Sequence, residues 1–184
     1  DTPEQVIGRM NMTMPWESNF TICKQWAWKP NDQMKSLKEC LIILSRTTGR
    51  NGNLLLNVGP MLDGRIEARQ IKRLKEIGDW LRINGEAIYG TLGGPYEPNS
   101  NFATTRKGNI IYVQVLNTDT AAIALKKIPG VKILNAHIVP GEKIGIAQTD
   151  DAMGIHLPPA LKGKIPFTVA LELNKSAETI PIIK

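Results

Sequence analysis

A short apolar run in the first half of the chain constrains the fold more than any other feature of the sequence. The run, GNLLLNVGP, occupies residues 52–60. An unbroken apolar segment of this length predicts a strand buried on both faces, as in a parallel sheet. Pro60 ends the strand, because proline has no N–H to donate to a neighbouring strand.

Two amphipathic segments flank this strand. Residues 36–49 carry apolar side chains at helical spacing, and Gly49 suits a left-handed helix end. Residues 67–84 place four apolar side chains on one stripe of a second helix, namely Ile71, Leu74, Ile77 and Leu81. Helix, buried strand and helix in succession predict an α/β layer structure. So short a piece cannot close a parallel sheet, so we expect further strands upstream.

The second half of the chain follows a different pattern. After Gly93-Gly94-Pro95, short β-like runs alternate with Gly, Pro, Asn and Asp; the runs are 110–116, 121–125, 131–138, 155–157 and 167–173. Regular spacing of this kind predicts a small antiparallel β-sandwich. The predicted organisation is therefore an α/β part at 1–92, a linker at 93–101 and a sandwich domain at 102–184.

Charge and hydropathy weigh against two classes of partner. The formal net charge is +6, but the Lys and Arg residues are scattered, so nucleic-acid binding is not expected. A nucleic-acid binder remains an alternative, and it would show DNA affinity that falls steeply with salt. No apolar run approaches the ~18 residues of a membrane-spanning helix, so no membrane partner is expected.

The spacing of the cysteines and histidines does not predict a metal site. Cys23 and Cys40 lack metal-ligand spacing and lie among apolar residues, which predicts two buried thiols. His137 and His156 fall in the sandwich half, where we expect surface or packing positions.

The candidate functional residues lie near the start of the chain. Glu4 and Glu17 could divide acid and base roles, as paired carboxylates do in glycoside hydrolysis, but ion pairing or solvation would explain them equally. Trp26 and Trp28 offer flat faces that suit sugar rings, and core packing is the competing explanation. Asn57 ends the leucine-rich strand, where barrel enzymes place working residues, although a turn role is the alternative.

Several motifs carry a family resemblance when they are taken together. They are TPEQ at 2–5, WE at 16–17 with TI at 21–22, QWAWKP at 25–30, GNLLLNVGP with DG at 63–64, and WL at 80–81 with NGEAIYG at 84–90. In this order they resemble the closing third of the α-L-fucosidases of glycoside hydrolase family 29, over residues 1 to about 92. The second half is similar to that family's C-terminal β-sandwich only in position and strand pattern. One departure is Ala27-Trp28, where the family often has Gly-Tyr, so substrate preference beyond the fucose unit stays open.

The resemblance implies a fold and a reaction. The fold is the C-terminal part of a (β/α) barrel followed by an antiparallel β-sandwich. The reaction is a retaining exo-hydrolysis of terminal α-L-fucose through a covalent fucosyl-enzyme. Glu4 matches the acid/base position of many members, Glu17 matches a pocket glutamate and is the second choice, and Trp26 matches an aromatic that packs against the sugar. The family's aspartate nucleophile precedes the matching stretch, so we expect the isolated chain to be inactive.

The resemblance also implies partners and a location. The partners are a fucosylated glycan and an N-terminal barrel segment, and the location is periplasmic or extracellular, or lysosomal in a eukaryote. No metal or organic cofactor is implied, because two carboxyls suffice for this reaction. The alternative from another class is a non-catalytic carbohydrate-binding or structural module. The fucose linkage, the natural glycan and the oligomeric state are not indicated by the sequence.

Overall fold

The computed structural model describes residues 2–149 and 152–184. In its α/β part, strand β1 (Glu17–Thr21) runs parallel to strand β2 (Asn53–Asn57). A third extended segment bridges to β1 through Glu4 and Asn19, also in the parallel sense. Parallel pairing confirms the α/β prediction made from the leucine-rich run.

Two helices complete the α/β part, close to the predicted bounds. Helix α1 spans Leu37–Gly49 and helix α2 spans Ala68–Asn84. Ser36 begins α1 as its cap: Ser36 Oγ accepts the Glu39 N–H at 3.2 Å, and Glu39 Oε2 accepts the Ser36 N–H at 2.6 Å. This reciprocal capping box satisfies two N–H groups that have no partner inside the helix.

The predicted end of α1 is confirmed, but its predicted cause is wrong. The left-handed residue is Asn51, with φ of +67°, and Gly49 has no positive φ. Gly49 instead lies where α1 meets the second half of the chain. A Cβ at this position would lie 2.9 Å from Pro98 Cγ and 3.1 Å from Ala103 Cβ. Close packing therefore explains the glycine.

The leucine-rich strand and α2 are less buried than predicted. Leu55 on β2 is 45% exposed and Ile71 on α2 is 39% exposed. The buried residues of α2 are Gln70, Trp80 and Asn84 rather than the apolar stripe. Trp80 Nε1 donates to the Pro166 carbonyl at 2.6 Å, so this side of α2 faces the second half of the chain. Within the described ranges, the face of β2 that carries Leu55 lies open.

The second half of the chain forms two antiparallel sheets. The strands are β3 (Leu92–Gly93), β4 (Phe102–Lys107), β5 (Ile110–Val115), β6 (Ala122–Lys126), β7 (Ile133–Ile138), β8 (Glu142–Lys143), β9 (Ile146–Gln148), β10 (Ala152–His156) and β11 (Phe167–Leu173). One sheet has the order β3-β4-β5-β11-β7-β8, and the other has the order β6-β10-β9. Side chains from both sheets form one core, including Val113, Leu171, Ile123 and Ile155. The predicted sandwich is confirmed.

Each of the five predicted β-runs overlaps an observed strand, but the short strands β3, β8 and β9 and the longer strand β4 are missed. The β4 residues Thr104, Thr105 and Arg106 are buried and polar, so an apolar pattern cannot reveal them. Arg106 Nη1 donates to the carbonyls of Ala177, at 3.0 Å, and Ile180. A buried cation thus attaches the end of the chain to β4, and burial lowers the pKa of its guanidinium.

Residues 93–101 are closely packed. Tyr96 is 3% exposed and meets Phe102 edge-to-face, with 6.3 Å between ring centroids. The Ile183 N–H donates to the Pro95 carbonyl at 2.8 Å, and the Ile183 carbonyl accepts the Glu97 N–H at 3.0 Å. The last residues of the chain therefore run alongside this stretch. Its assignment as the linker between domains stays a prediction.

Candidate active site

Glu4 lies beside the middle of β1. The Asn19 N–H donates to the Pro3 carbonyl at 2.9 Å, and the Gln5 N–H donates to the Asn19 carbonyl at 2.7 Å. This pattern sets Glu4 opposite Asn19 in a parallel pair. Since paired residues of parallel strands project to the same side, Glu4 shares a face with Asn19. Glu4 is exposed on that face.

The backbone turns directly after Glu4. Gln5 has φ of +57°, which is uncommon for a residue other than glycine. Gln5 Nε2 donates to Thr21 Oγ1 at 2.9 Å, at the C-terminal end of β1. The Thr21 carbonyl accepts from Lys35 Nζ at 2.6 Å. The candidate carboxylate therefore adjoins a high-energy backbone conformation of the kind that concentrates at functional sites.

Glu17 is the first residue of β1 and is half-buried. The side chain before it, Trp16, is 5% exposed and fills a slot between two glycines. A Cβ on Gly8 would lie 2.6 Å from Trp16 Cζ3, and a Cβ on Gly52 would overlap the other edge of the same ring. Trp16 Nε1 donates to the Arg50 carbonyl at 3.3 Å. Glu17 therefore directly follows a tryptophan whose side chain is held in place.

Glu4 and Glu17 lie on the same face of the parallel strands. Glu17 and Asn19 are alternate residues of β1, and Glu4 is opposite Asn19. Two residues along a strand and one strand across place the Cα atoms of Glu4 and Glu17 about 8 Å apart. The structure therefore places the two predicted carboxylates on one face, which also carries Leu55.

Trp26 lies in the loop after β1, next to the last residue of β2. Its side chain is 42% exposed. Asn57 Nδ2 donates to the Trp26 carbonyl at 3.0 Å. Gly59 lies against the same loop, and a Cβ on Gly59 would lie 2.8 Å from the Ala27 carbonyl carbon. The end of β2 thus fixes the loop backbone and leaves the Trp26 ring accessible.

Asp32 closes this loop by accepting backbone hydrogen bonds. Its Oδ2 accepts the Gln25 N–H at 2.9 Å, and its Oδ1 accepts the Gln33 N–H at 2.9 Å. The Gln25 N–H, followed by the Gln33 N–H, holds the pKa of the Asp32 carboxyl below its usual value. The Asp32 carbonyl accepts from Arg69 Nη1 at 3.2 Å, which joins the loop to α2.

Glu67 joins the loop to α2 at a second point. Its Oε2 accepts the Trp28 Nε1–H at 3.2 Å, and its Oε1 pairs with Arg69 Nε. The Arg69 guanidinium, together with hydrogen bonds from Trp28 and Gln70, holds the pKa of the Glu67 carboxyl below its usual value. Sequence reasoning misses this contact, because Trp28 and Glu67 are 39 residues apart and no motif pairs them.

The two carboxylates differ in their distance from Trp26. Glu17 and Thr21 begin and end β1, so about 13 Å of strand separates them. Trp26 is attached at the Thr21 end, through Asn57, which pairs with Thr21. Glu4, level with Asn19, lies nearer that end than Glu17 does. Barrel enzymes carry their sites at the C-terminal ends of strands, which favours Glu4. The roles of Glu4, Glu17 and Trp26 stay predictions.

Two cysteines and two histidines are also potential metal ligands in the sequence. Across residues 2–149 and 152–184, no group of three or more His, Cys, Asp or Glu side chains could hold a metal ion. Cys23 and Cys40 are buried and free, as predicted, and burial raises the pKa of both thiols. His137 is half-buried and His156 is exposed. No helix in the described parts of the chain has the length and apolar character to cross a membrane.

Known proteins resemble this chain in sequence. The family model for α-L-fucosidase matches residues 1–86. Human plasma α-L-fucosidase is 40% identical over 80 residues, which are 41% of this chain and 17% of that protein. The α-L-fucosidase of Branchiostoma floridae is 39% identical over 114 residues, which are 60% of this chain and 24% of that protein. The matched stretch therefore covers less than a quarter of the length of each of these two relatives.

Solved structures resemble the chain over both halves. Isoenzyme 1 of the α-L-fucosidase from Paenibacillus thiaminolyticus superposes with a TM-score of 0.82 at 27% identity, covering 95% of this chain and 45% of that one. The Thermotoga maritima α-fucosidase in complex with a mechanism-based inhibitor gives a TM-score of 0.75 at 26% identity, covering 93% of this chain and 42% of that one. Residues 1–86 therefore resemble the α-L-fucosidase family in sequence, and the chain as a whole has the fold of solved α-L-fucosidases.

Proposed function

We propose that the complete protein containing this chain is a retaining exo-α-L-fucosidase, which removes terminal α-L-fucose from glycans by double displacement. The match of residues 1–86 to the family model carries the proposal. Support for a covalent route comes from the Thermotoga maritima relative, which was solved with a mechanism-based inhibitor. Because the chain covers less than half of that relative, the activity is proposed for the complete protein.

Glu4 is the acid/base of this reaction. An aspartate from outside these 184 residues attacks the anomeric carbon, and protonated Glu4 gives its proton to the departing glycosidic oxygen. The Glu4 carboxylate then takes a proton from water as that water attacks the same carbon, which releases fucose and frees the aspartate. The two carboxyls of a retaining enzyme lie about 5 to 5.5 Å apart. The exposure of Glu4 on the open face is consistent with such a partner.

Trp26 and Glu17 form part of the pocket. The exposed ring of Trp26 packs against the apolar face and methyl group of fucose, because a flat aromatic surface suits that side of the sugar. Glu17 lines or supports the pocket. It lies at the start of β1, at the end of the strand away from Trp26. If Glu4 is not the acid/base, Glu17 is the second choice.

The partners and location follow from the same proposal. The substrate is a fucosylated glycan, and an N-terminal barrel segment covers the open face of β2, where Leu55 is 45% exposed. Two carboxyls suffice for the chemistry, so no metal or organic cofactor takes part. The protein works where such glycans are found, in the periplasm or outside the cell, or in the lysosome of a eukaryote.

A comparison of two proteins tests the proposal. The complete protein and the purified 184-residue chain are incubated with 4-nitrophenyl α-L-fucoside, and the first fucose released is followed by NMR. We expect the complete protein to release fucose as the α-anomer and the 184-residue chain to release none. Release that rises with the concentration of the short chain would place the nucleophile within it. Release as the β-anomer would contradict the retaining mechanism.

A non-catalytic carbohydrate-binding module is the competing function, and the exposed ring of Trp26 is the observation that favours it. Isothermal titration of the complete protein with fucose separates the two functions. Binding that is lost in Trp26→Ala, with no hydrolysis of any fucoside, would favour the binding module.

A further inference from the structure

We propose that Glu67 is a positioning residue for Trp26 and acts through Trp28. This inference deepens the proposed function, because it rests on Trp26 packing against the sugar. Glu67 directly precedes α2, and its side chain is 18% exposed. Glu67 is the N-cap residue of α2, but its side chain makes no capping hydrogen bond. Its oxygens bind the Trp28 Nε1–H and Arg69 Nε instead.

The carboxylate is itself held in place. Arg69 pairs with Glu67 Oε1, and its Nη1 donates to the Asp32 carbonyl at 3.2 Å. Gln70, which is 2% exposed, adds to the lowering of the Glu67 carboxyl pKa. A carboxylate that accepts from a guanidinium on one oxygen and an indole N–H on the other has few alternative orientations, so it can hold the indole in place.

The loop is fixed from the strand side as well. Asn57 Nδ2 donates to the Trp26 carbonyl at 3.0 Å, and Gly59 leaves room for the backbone of residues 27 and 28. The backbone at Trp26 and the indole of Trp28 are thus held by different elements, β2 and α2. Trp28 is half-buried, whereas Trp26 is 42% exposed. Trp26 is therefore accessible to a ligand, and Trp28 is the anchor that holds the loop of Trp26 in place.

Loss of the anchor should weaken sugar binding more than it slows bond cleavage. The Trp28–Glu67 contact does not touch the reacting atoms, so its removal loosens Trp26 in both the ground state and the transition state. An interaction that stabilises both states equally appears in KM rather than in kcat.

Kinetics of the complete protein test this inference with matched variants. We expect Glu67→Ala to raise KM for 4-nitrophenyl α-L-fucoside by about 10-fold, the loss of one charge-assisted hydrogen bond, and to change kcat by less than about 2-fold. Glu67→Gln should recover most of the lost affinity, because its amide oxygen still accepts the Trp28 N–H. Asp79→Ala is the control, since Asp79 is an exposed carboxylate on α2 that pairs only with Arg82 among the described contacts. It should leave both constants unchanged.

Two further measurements separate positioning from a general loss of stability. Hydrogen exchange should quicken across residues 24–33 in Glu67→Ala, with no change in β1 or β2. Trp28→Phe keeps the ring and removes the N–H, so its effect on KM should not add to that of Glu67→Ala. An unchanged KM together with wild-type exchange in Glu67→Ala would overturn the inference, and so would full additivity in the double variant.

The same experiment distinguishes this inference from the proposed function. If the unsubstituted protein hydrolyses no fucoside, the proposed function fails and the sugar-positioning role of Glu67 fails with it, whatever the exchange shows. If the unsubstituted protein is active and Glu67→Ala matches it in KM and exchange, only the inference about Glu67 fails.

Discussion

Glu4 and Glu17 share one face of the parallel strands but are held differently. Glu4 sits beside Asn19 between two backbone hydrogen bonds, with a left-handed Gln5 after it. Glu17 follows a clamped Trp16 at the far end of β1. The first setting leaves a carboxylate exposed next to a strained turn, as suits a group that must meet a substrate. The second suits a supporting residue.

Substitution of the two glutamates in the complete protein distinguishes their roles. In Glu4→Ala, we expect slow hydrolysis of activated aryl fucosides and recovery of turnover with azide, because azide attacks the fucosyl-enzyme without needing a base. General acid–base groups contribute about 10²- to 10⁴-fold, so kcat/KM for unactivated glycans should fall within that range. Glu17→Ala serves as the comparison. Azide rescue of Glu17→Ala and not of Glu4→Ala would reverse the assignment.

Arg106 gives a second prediction for a single residue. We expect Arg106→Met to lower the free energy of unfolding by about 2 to 4 kcal/mol, because two carbonyls in the segment 177–180 lose their buried donor. Lys107→Met is the control, since Lys107 is the exposed neighbour on β4. Urea unfolding of both variants measures the change. Equal stability of the two variants would show that Arg106 is not the attachment point.

The elements of the fold were predictable wherever a local signal exists. Helix α1 starts directly after Ser36 because Ser36 and Glu39 form a capping box, which can be read from four consecutive residues. Strand β4 could not be predicted, because its buried Thr104, Thr105 and Arg106 are explained only by partners distant in sequence. The anchoring of Trp28 by Glu67 escapes a sequence reading for the same reason. Local chemistry thus indicates where elements begin, and tertiary partners decide which polar residues become buried.

The capping box makes the stability of α1 depend on pH. The Ser36 hydroxyl and then the Ser36 N–H hold the pKa of Glu39 below its usual value. Such a group stabilises the fold above its unfolded pKa, about 4.3 for Glu, and the contribution is lost as pH falls through the folded pKa. We therefore expect Glu39→Gln to be less stable than the unsubstituted protein at neutral pH, with a difference that shrinks in acid. Glu142→Gln, on exposed β8, is the control for thermal unfolding. A difference independent of pH would contradict this account.

At the scale of the whole molecule, a few contacts join the α/β part to the antiparallel sheets. Trp80 reaches Pro166, Gly49 packs on Pro98 and Ala103, and Thr105 Oγ1 donates to the Ala87 carbonyl at 2.5 Å. The sequence predicts the two parts from their different patterns. It does not predict how they dock, since the contacts are between residues far apart in the chain.

The last residues of the chain should stabilise the whole molecule. We expect removal of residues 176–184 to lower the melting temperature by about 10 °C, because buried Ala177 and Ile180, the Arg106 contacts and the pairing of Ile183 with residues 95–97 are lost together. Pro181→Ser is the control, since Pro181 is exposed. Differential scanning calorimetry of the complete protein and both variants measures the effect. A melting temperature within the spread of the control would show that this segment is dispensable.

The slot that holds Trp16 has a consequence for changing this protein by mutagenesis. Any side chain at position 8 or 52 would collide with the indole, so these glycines and Trp16 form one steric unit. Libraries that vary residues around Glu17 should therefore keep positions 8 and 52 as glycine, or replace Trp16 with a smaller residue in the same clone. Single substitutions at the two glycines should be recovered rarely in a functional selection, and double variants that also shrink position 16 should be recovered more often.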